Sequence, residues 1–262
     1  EVVGKLLRMR VALVVEYDGT RYHGFQYQAN AVSVQAELEK AIGCLTRQDV
    51  KVKGAGRTDK GVHALGQVVT FDTAANHSFK TIVDAVNSYL PDDIAVMAAR
   101  RVRDDFDPRR HAVSRTYRYT VYRGAAPSPL NRRTAHYVRS CLDVQEMRDC
   151  ASLFLGRHDF RTFAGTLESP EVCTEREIIR VDVCQKGRII SIYFEGNAFL
   201  PQQVRRMAGV LLAVGRGILT KTGLQCMVEG GQGDSGAYVL PPEGLCLLEV
   251  KYNNVSFGLV AL

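Results

Sequence analysis

Residues 11–17 read VALVVEY, an apolar, β-branched run that predicts a buried strand. Downstream, Val34, Leu38, Ala41, Ile42 and Leu45 recur at the i, i+4, i+7, i+8, i+11 spacing of one helix face. Ser33 stands before them as the N-cap of a helix over 33–45. VKVKGA at 50–55 alternates and predicts a second strand, and QVVTFD at 67–72 a third. Ile82, Val83, Val86, Tyr89 and Leu90 share a face of a helix over 79–90, which Pro91 stops. IAVMAARRV at 94–102 is a fourth strand. The order is β-α-β, then β-α-β.

The second half repeats that order with longer insertions. RTYRYTVY at 115–122 alternates, with Tyr117, Tyr119 and Val121 on one side and Arg118, Thr120 and Tyr122 on the other. Asp143 with Glu146 three residues on opens a helix over 143–154 in a capping-box pattern. Strands over 178–184 and 189–195 flank a turn at Lys186–Gly187. A helix over 201–214 carries Pro201 in its first turn, and 245–252 closes the set as a strand. The fold class is α+β: two ferredoxin-like βαββαβ units in series, each an antiparallel sheet with two helices on one face. The other sheet faces are left to meet a ligand or each other. The break falls near DDFDPRRH at 104–111, giving an N-terminal domain over 9–106 and a C-terminal one over 107–262. Segments 124–135 and 221–240 read as surface loops.

With 262 residues, 46% hydrophobic and 24% charged, the composition excludes a disordered or fibrous chain. A chain of this size folds without a metal or disulfide staple. Its seven cysteines are scattered, with no CxxC, so neither a zinc ribbon nor a redox pair is written here. Reduced thiols in the cytoplasm are the reading. No apolar run reaches the length of a membrane span, and EVVGKLLRMR at the start has no signal-peptide core. Met9 is a candidate initiator with residues 1–8 ahead of it. Thirty-four Lys and Arg against 28 Asp and Glu leave a net charge of +6, which favours a polyanionic partner.

The segment richest in chemistry is GAGRTDKGVHALG at 54–66. It fails the P-loop pattern because Gly61 is followed by Val62, and it fails GxGxxG because Asp59 stands at the third glycine. A nucleotide-dependent enzyme is disfavoured accordingly. Gly54, Gly56 and Gly61 instead let the backbone turn tightly around Asp59. In extended backbone Arg57 and Asp59 point to one side, so they pair or share a ligand. A guanidinium nearby keeps a carboxylate ionised for nucleophilic or general-base work. The plain structural alternative is an Asx-type turn. His63 and His158 read as structural residues.

Residues 100–118 hold seven arginines and three aspartates, the densest basic stretch, with Arg109 and Arg110 at its centre. It is either an RNA contact or a solvated linker. No aromatic RNP1 octamer occurs, so recognition through shape and phosphate is expected.

AGRTDKGVHA at 55–64 resembles the signature of the tRNA pseudouridine synthase A family. YDGTRYHGFQYQ at 17–28, VQAELEKAI at 34–42, LPDDIAV at 90–96, SRTYRY at 114–119, GRHDFRTF at 156–163, FLPQQVRRMAG at 199–209 and LPPEGLCLLEV at 240–250 follow the family's order. The resemblance implies conversion of uridine to pseudouridine in the anticodon stem-loop of tRNA, at positions 38, 39 and 40, without cofactor, nucleotide or metal. It implies a homodimer whose basic cleft takes the tRNA, with the two ferredoxin-like units of the chain forming a continuous sheet around a basic central cleft. It places the essential aspartate at Asp59, the active-site tyrosine at Tyr117 and the partner arginine at Arg205, with Arg57 two before the aspartate. Arg57, Tyr117, Arg109 and Arg110 are the expected substrate contacts. Phe25, Lys60, Gln203, Arg206 and Leu240 depart from the family's usual residues. The alternatives are a non-catalytic RNA-binding protein on the same fold, or a synthase acting at other RNA positions.

Overall fold

The computed structural model describes residues 8–169, 171–231, 235–253, 255 and 257. They form a mixed α/β structure in two compact units. One contains the described residues up to Val113 and from Leu247 on; the other is Ser114–Cys246.

The first unit contains β1 (Met9–Tyr17), α1 (Val34–Thr46), β2 (Lys53–Gly54), β3 (His63–Thr73), α2 (Phe79–Tyr89) and β4 (Ile94–Val102). β1 lies between β4 and β3 and is antiparallel to both. Val11 to Val15 are therefore buried throughout, as the unbroken apolar run predicts. Ser33 caps α1 through the Ala36 N–H, and Ser78 caps α2 through the Thr81 N–H. α1 packs beside α2, and α2 against β4.

Three expectations change here. The strand expected over 50–55 shrinks to Lys53–Gly54 because α1 takes its backbone groups. Val52 N donates to Glu39 Oε1 (3.0 Å), and its carbonyl accepts from Gln35 Nε2 (3.1 Å). The second face of the sheet is not bare: Ala12, Val102 and Phe106 pack there with Tyr252, Val255 and Phe257. Residues 107–113 and the end of the chain also go with the first unit. Phe106 is 6% exposed, its ring lies 5.1 Å from that of Tyr252, and Tyr252 Oη donates to Pro108 O (2.8 Å).

The second unit spans β5 (Ala112–Arg123), β6 (His136–Val138), α3 (Val144–Ala151), β7 (Gly156–Asp159), β8 (Glu175–Lys186), β9 (Ile189–Gly196), α4 (Gln203–Gly215) and α5 (Lys221–Val228). The strand at Leu245–Tyr252, β10, follows. β5, β9, β8 and β7 pair antiparallel in that order, and β6 runs parallel to the end of β5. Tyr119 and Val121 are buried while Arg118, Thr120 and Tyr122 are half-buried, as the alternation requires. Asp143 caps α3 through the Glu146 N–H (2.9 Å).

Pro201 does not open α4. The helix starts at Gln203, after Gln202 adopts a left-handed conformation (φ +58°). Gln203 Oε1 turns back to accept from Leu200 N (2.8 Å), and Pro201 O accepts from Gly165 N (2.7 Å). The expected loop over 221–240 contains α5, capped by Thr220 through the Gly223 N–H.

Arg10 and Asp72 face each other across β1 and β3 and pair through two bonds, Nε to Oδ1 (2.7 Å) and Nη2 to Oδ2 (2.9 Å). The guanidinium holds the Asp72 carboxyl below the usual carboxylate range. A depressed folded-state pKa contributes stability above the unfolded pKa, near 3.9, and loses it as pH falls through the folded value. Asp72→Asn is expected to cost about 0.5–1 kcal/mol at neutral pH, the range of a partly exposed pair. Urea titrations at descending pH should show that difference shrink below about pH 4. A difference independent of pH would show that the charge is not the cause.

Candidate active site

Residues 55–62 leave β2 and return into β3 as a loop pinned along its length. Ala55 N donates to Val68 O (2.8 Å), and Gly56 O accepts from Gln67 Nε2 (2.9 Å). Thr58 O accepts from Phe25 N (3.1 Å), while Thr58 Oγ1 and Tyr17 Oη share a buried hydrogen bond of 2.8 Å. After Asp59 the chain turns, with Val62 N on Asp59 O (3.1 Å) and Gly61 at φ +79°. The Asp59 side chain is half-buried at the head of that turn.

Close packing sets this backbone. A Cβ on Gly24 would lie 2.7 Å from Thr58 O, and one on Gly19 would lie 2.0 Å from Val62 O. Gly24 also has φ +98°, a conformation that L side chains rarely adopt. The segment 17–28 and the loop 55–62 thus interlock. His63 is buried and accepts from Gly19 N (3.1 Å), while Lys60 Nζ lies 3.2 Å from His23 Nε2. His63 thus holds the backbone of Gly19 beside the loop. His158 bonds Leu155 O (2.8 Å) and packs on Phe160, also a structural setting.

Two residues before Asp59, exposed Arg57 donates from Nε to Gln26 Oε1 (3.2 Å). Arg57 lines a cleft of about 290 Å³ with Phe25, Lys53, Asp107, Arg109 and Arg110 among its walls. Three of the expected substrate contacts are therefore brought together within the first unit. Lys53 and Asp107 join them unforeseen, since nothing in their local sequence marks a cleft.

The rest of the arginine-rich stretch does not form one patch. Arg103 pairs with Asp105 (2.7 Å), Arg100 lies over the Phe257 ring, and buried Arg115 donates to Asn197 O (2.6 Å). Segment 104–111 is not a solvated linker, because Phe106 and Pro108 are buried in it.

In the second unit, Tyr117 is 9% exposed on β5 and meets Phe199 edge-to-face at 5.3 Å. Arg205 is half-buried in the first turn of α4. Its Nε donates to Leu240 O (2.7 Å), and Tyr119 Oη donates to the next carbonyl, Pro241 O (2.8 Å). The segment 240–241 is thus held by two side chains, of which Tyr119 was legible only as a core residue. Burial pushes the Tyr119 hydroxyl far above the ordinary tyrosine value, so it stays a donor. Among the described residues no group of three or more His, Cys, Asp or Glu is placed to hold a metal, and no helix is long and apolar enough to cross a membrane.

A carboxylate on a pinned loop, two residues from a cationic cleft, suits an enzyme working on a polyanion. The chain belongs to the tRNA pseudouridine synthase family, whose model matches residues 13–109 and 150–253. Asp59, Arg57, Arg109 and Arg205 lie inside the matched segments, and Tyr117 and Arg110 between them. A tRNA pseudouridine synthase A of Geotalea daltonii is 38% identical over 242 residues, covering 92% of this chain and 99% of that one. One of Shewanella amazonensis is 39% identical over 255 residues, 97% of each chain. One of Shewanella piezotolerans is 40% identical over 245 residues, 93% of each.

The Tyr17–Thr58 bond gives a direct test of how the loop is anchored. Tyr17→Phe keeps the ring and leaves the buried Thr58 hydroxyl without this partner. We expect a loss of about 1–2 kcal/mol in chemical denaturation. An unchanged midpoint and slope would mean that the pair contributes nothing to holding the loop.

Proposed function

We propose that this chain converts uridine to pseudouridine at positions 38, 39 and 40 of the tRNA anticodon stem-loop, with Asp59 as the reacting carboxylate. The observation that carries the reading is the Asp59 loop itself. Its backbone is pinned at residues 55, 56, 58, 61 and 62, yet the carboxylate stays half-exposed. In a chain of this family such a carboxylate is a reacting group rather than a turn residue.

The reaction breaks the N1–C1′ bond, turns the uracil and joins C5 to C1′, so product and substrate have the same atoms. Asp59 attacks C1′, adds to C6, or removes the C2′ proton. Each route needs one carboxylate at one nucleotide drawn from its stack. Tyr117 stacks on the extruded uracil and assists loss of the C5 proton. Arg205 supports the same nucleotide, and Arg57, Arg109 and Arg110 bind phosphate. The reading includes a cytoplasmic homodimer and two units on the ferredoxin-like plan. The placement of β1 between β4 and β3, with β2 on the far side of β3, supports that plan in the first unit.

Incubation with tRNA tritiated at uracil C5 is the decisive assay. Tritium release without added nucleotide is expected, whereas tight binding without release favours a non-catalytic RNA-binding protein. Release mapped outside positions 38–40 would move the target. Asp59→Asn should abolish release and keep tRNA affinity within about tenfold, ~1.4 kcal/mol. Turnover within a few-fold of wild type would remove Asp59 as the reacting group.

Tyr117→Phe separates chemistry from packing. If the hydroxyl assists proton removal, single-turnover rate falls by roughly 10²-fold while tRNA binding holds. A full rate with a lowered melting temperature would leave Tyr117 as a core residue only.

A further inference from the structure

Tyr22 lies in the segment that faces the Asp59 loop and is 0% exposed. Its backbone carbonyl accepts from Gly61 N (3.2 Å), on the turn that follows Asp59. Two residues on, a Cβ on Gly24 would lie 3.4 Å from Asp59 C and from Lys60 N. Residues 22–24 are therefore the surface on which the backbone of 58–61 rests. This segment belongs to no strand, and only a short 3₁₀ turn at Gly19–Arg21 precedes it. Isolated backbone bonds such as His23 N to Val32 O (2.9 Å) hold it, rather than a ladder. The place of Tyr22 thus depends on its side chain.

The Tyr22 hydroxyl donates to Asp93 Oδ1 at 2.6 Å, a length typical of a hydroxyl on a carboxylate. Arg21 Nη2 donates to the same hydroxyl (2.9 Å) and to Asp93 Oδ1 (3.1 Å), and its guanidinium lies over the Tyr22 ring. Arg21 and Asp93 also pair directly. Burial, then the bond to Asp93, pushes the Tyr22 hydroxyl above the ordinary tyrosine value, so it remains a donor. Asp93 is itself fixed. Its carbonyl accepts from Asp18 N (3.0 Å), and the next residue, Ile94, pairs with Tyr17 across β4 and β1. A phenylalanine would fill the same buried space with no hydroxyl to satisfy, so packing alone does not account for a tyrosine.

We propose that Tyr22 and Asp93 are positioning residues for the isomerisation, holding Gly61 and through it the carboxylate of Asp59. On the other side of Asp59, the Tyr17 hydroxyl holds Thr58. The reacting group is then clamped from both sides, and both clamps start from the paired strands β1 and β4. LPDDIAV at 90–96 is thereby joined to the interlocked segments 17–28 and 55–62. Both roles rest on Asp59 being the reacting carboxylate, as proposed above. Being buried, Tyr22 acts through the backbone rather than on the RNA.

Tyr22→Phe keeps the ring and removes the bond to Asp93. Its single-turnover rate of tritium release should fall roughly tenfold with tRNA affinity held within about twofold, since misplacing a reacting group slows chemistry more than binding. Hydrogen exchange at the Gly61 amide should quicken about tenfold while the amides of α1 keep wild-type protection. Asp93→Ala should slow release as much as Tyr22→Phe, and the double variant no more than either. Asp93→Asn retains an oxygen for the hydroxyl and should recover most of that loss. A full rate in Tyr22→Phe and Asp93→Ala, with only the melting temperature lowered, makes the pair a core contact and overturns the positioning role. A double variant whose loss is the product of the two single losses overturns it as well. If Asp93→Ala fails to fold, Tyr22→Phe decides alone, through its rate and the Gly61 exchange. Asp59→Asn measured in parallel separates the two readings. If it keeps turnover, the reacting role of Asp59 fails and the clamp falls with it. If it is inactive while Tyr22→Phe runs at full rate, only the clamp fails.

Discussion

The hydrogen bond between Tyr17 Oη and Thr58 Oγ1 joins the loop that carries Asp59 to a strand whose residues 11–15 are all buried. The reacting role proposed for Asp59 requires a carboxylate held to within about half an ångström of the productive geometry. A loop alone does not provide that; a loop bonded to buried β1 does. The glycines complete the attachment. Gly24 faces the carbonyl of Thr58 and Gly19 that of Val62, at separations that exclude a side chain. YDGTRYHG and GRTDKGV, separate stretches in the sequence, are in space one interlocked object. Mutations in either act on both, so effects at Gly19, Gly24 and Thr58 should not add independently.

Elements whose signal is local are legible from sequence. α1 and α2 begin where Ser33 and Ser78 cap them, and β4 and β10 run over their expected spans. What was not legible depends on distant partners. VKVKGA alternates as a strand should, but Glu39 and Gln35 on α1 take the hydrogen bonds of Val52. Pro201 sits well for a first turn, yet the left-handed Gln202 and the back-bonding of Gln203 delay the helix by two residues. α5 was hidden because Gly223 and its short apolar run resemble a loop. The second sheet face looked open because its cover comes from Tyr252, Val255 and Phe257, at the other end of the chain.

The candidate site divides along the same line. Asp59 stands out because three glycines surround one acid, a local pattern. Tyr17 ends an apolar strand and opens YDGTRYHGFQYQ, but its hydroxyl gains meaning from Thr58, forty-one residues on. Arg205 shows how much a helix position leaves unsaid. Its Nε bonds Leu240 O, a contact across thirty-five residues that helix periodicity does not encode. That contact fixes the stem of the side chain and restricts how its remaining nitrogens are presented.

Charge counting identifies a class of partner, and geometry decides where that partner lies. Seven arginines in nineteen residues make 100–118 either an RNA contact or a solvated linker by sequence. The fold distributes those arginines differently. Arg103 is matched by Asp105, Arg100 rests over Phe257, and Arg115 is buried on a carbonyl. Arg109 and Arg110 instead join Lys53 and Arg57, from segments over fifty residues earlier, around one cavity. An arginine bonded to a backbone carbonyl or paired with a carboxylate has part of its donor set already used. Where cations gather is therefore set by tertiary structure from charges scattered in the chain, and the densest basic run in the sequence overlaps the cleft at only two residues.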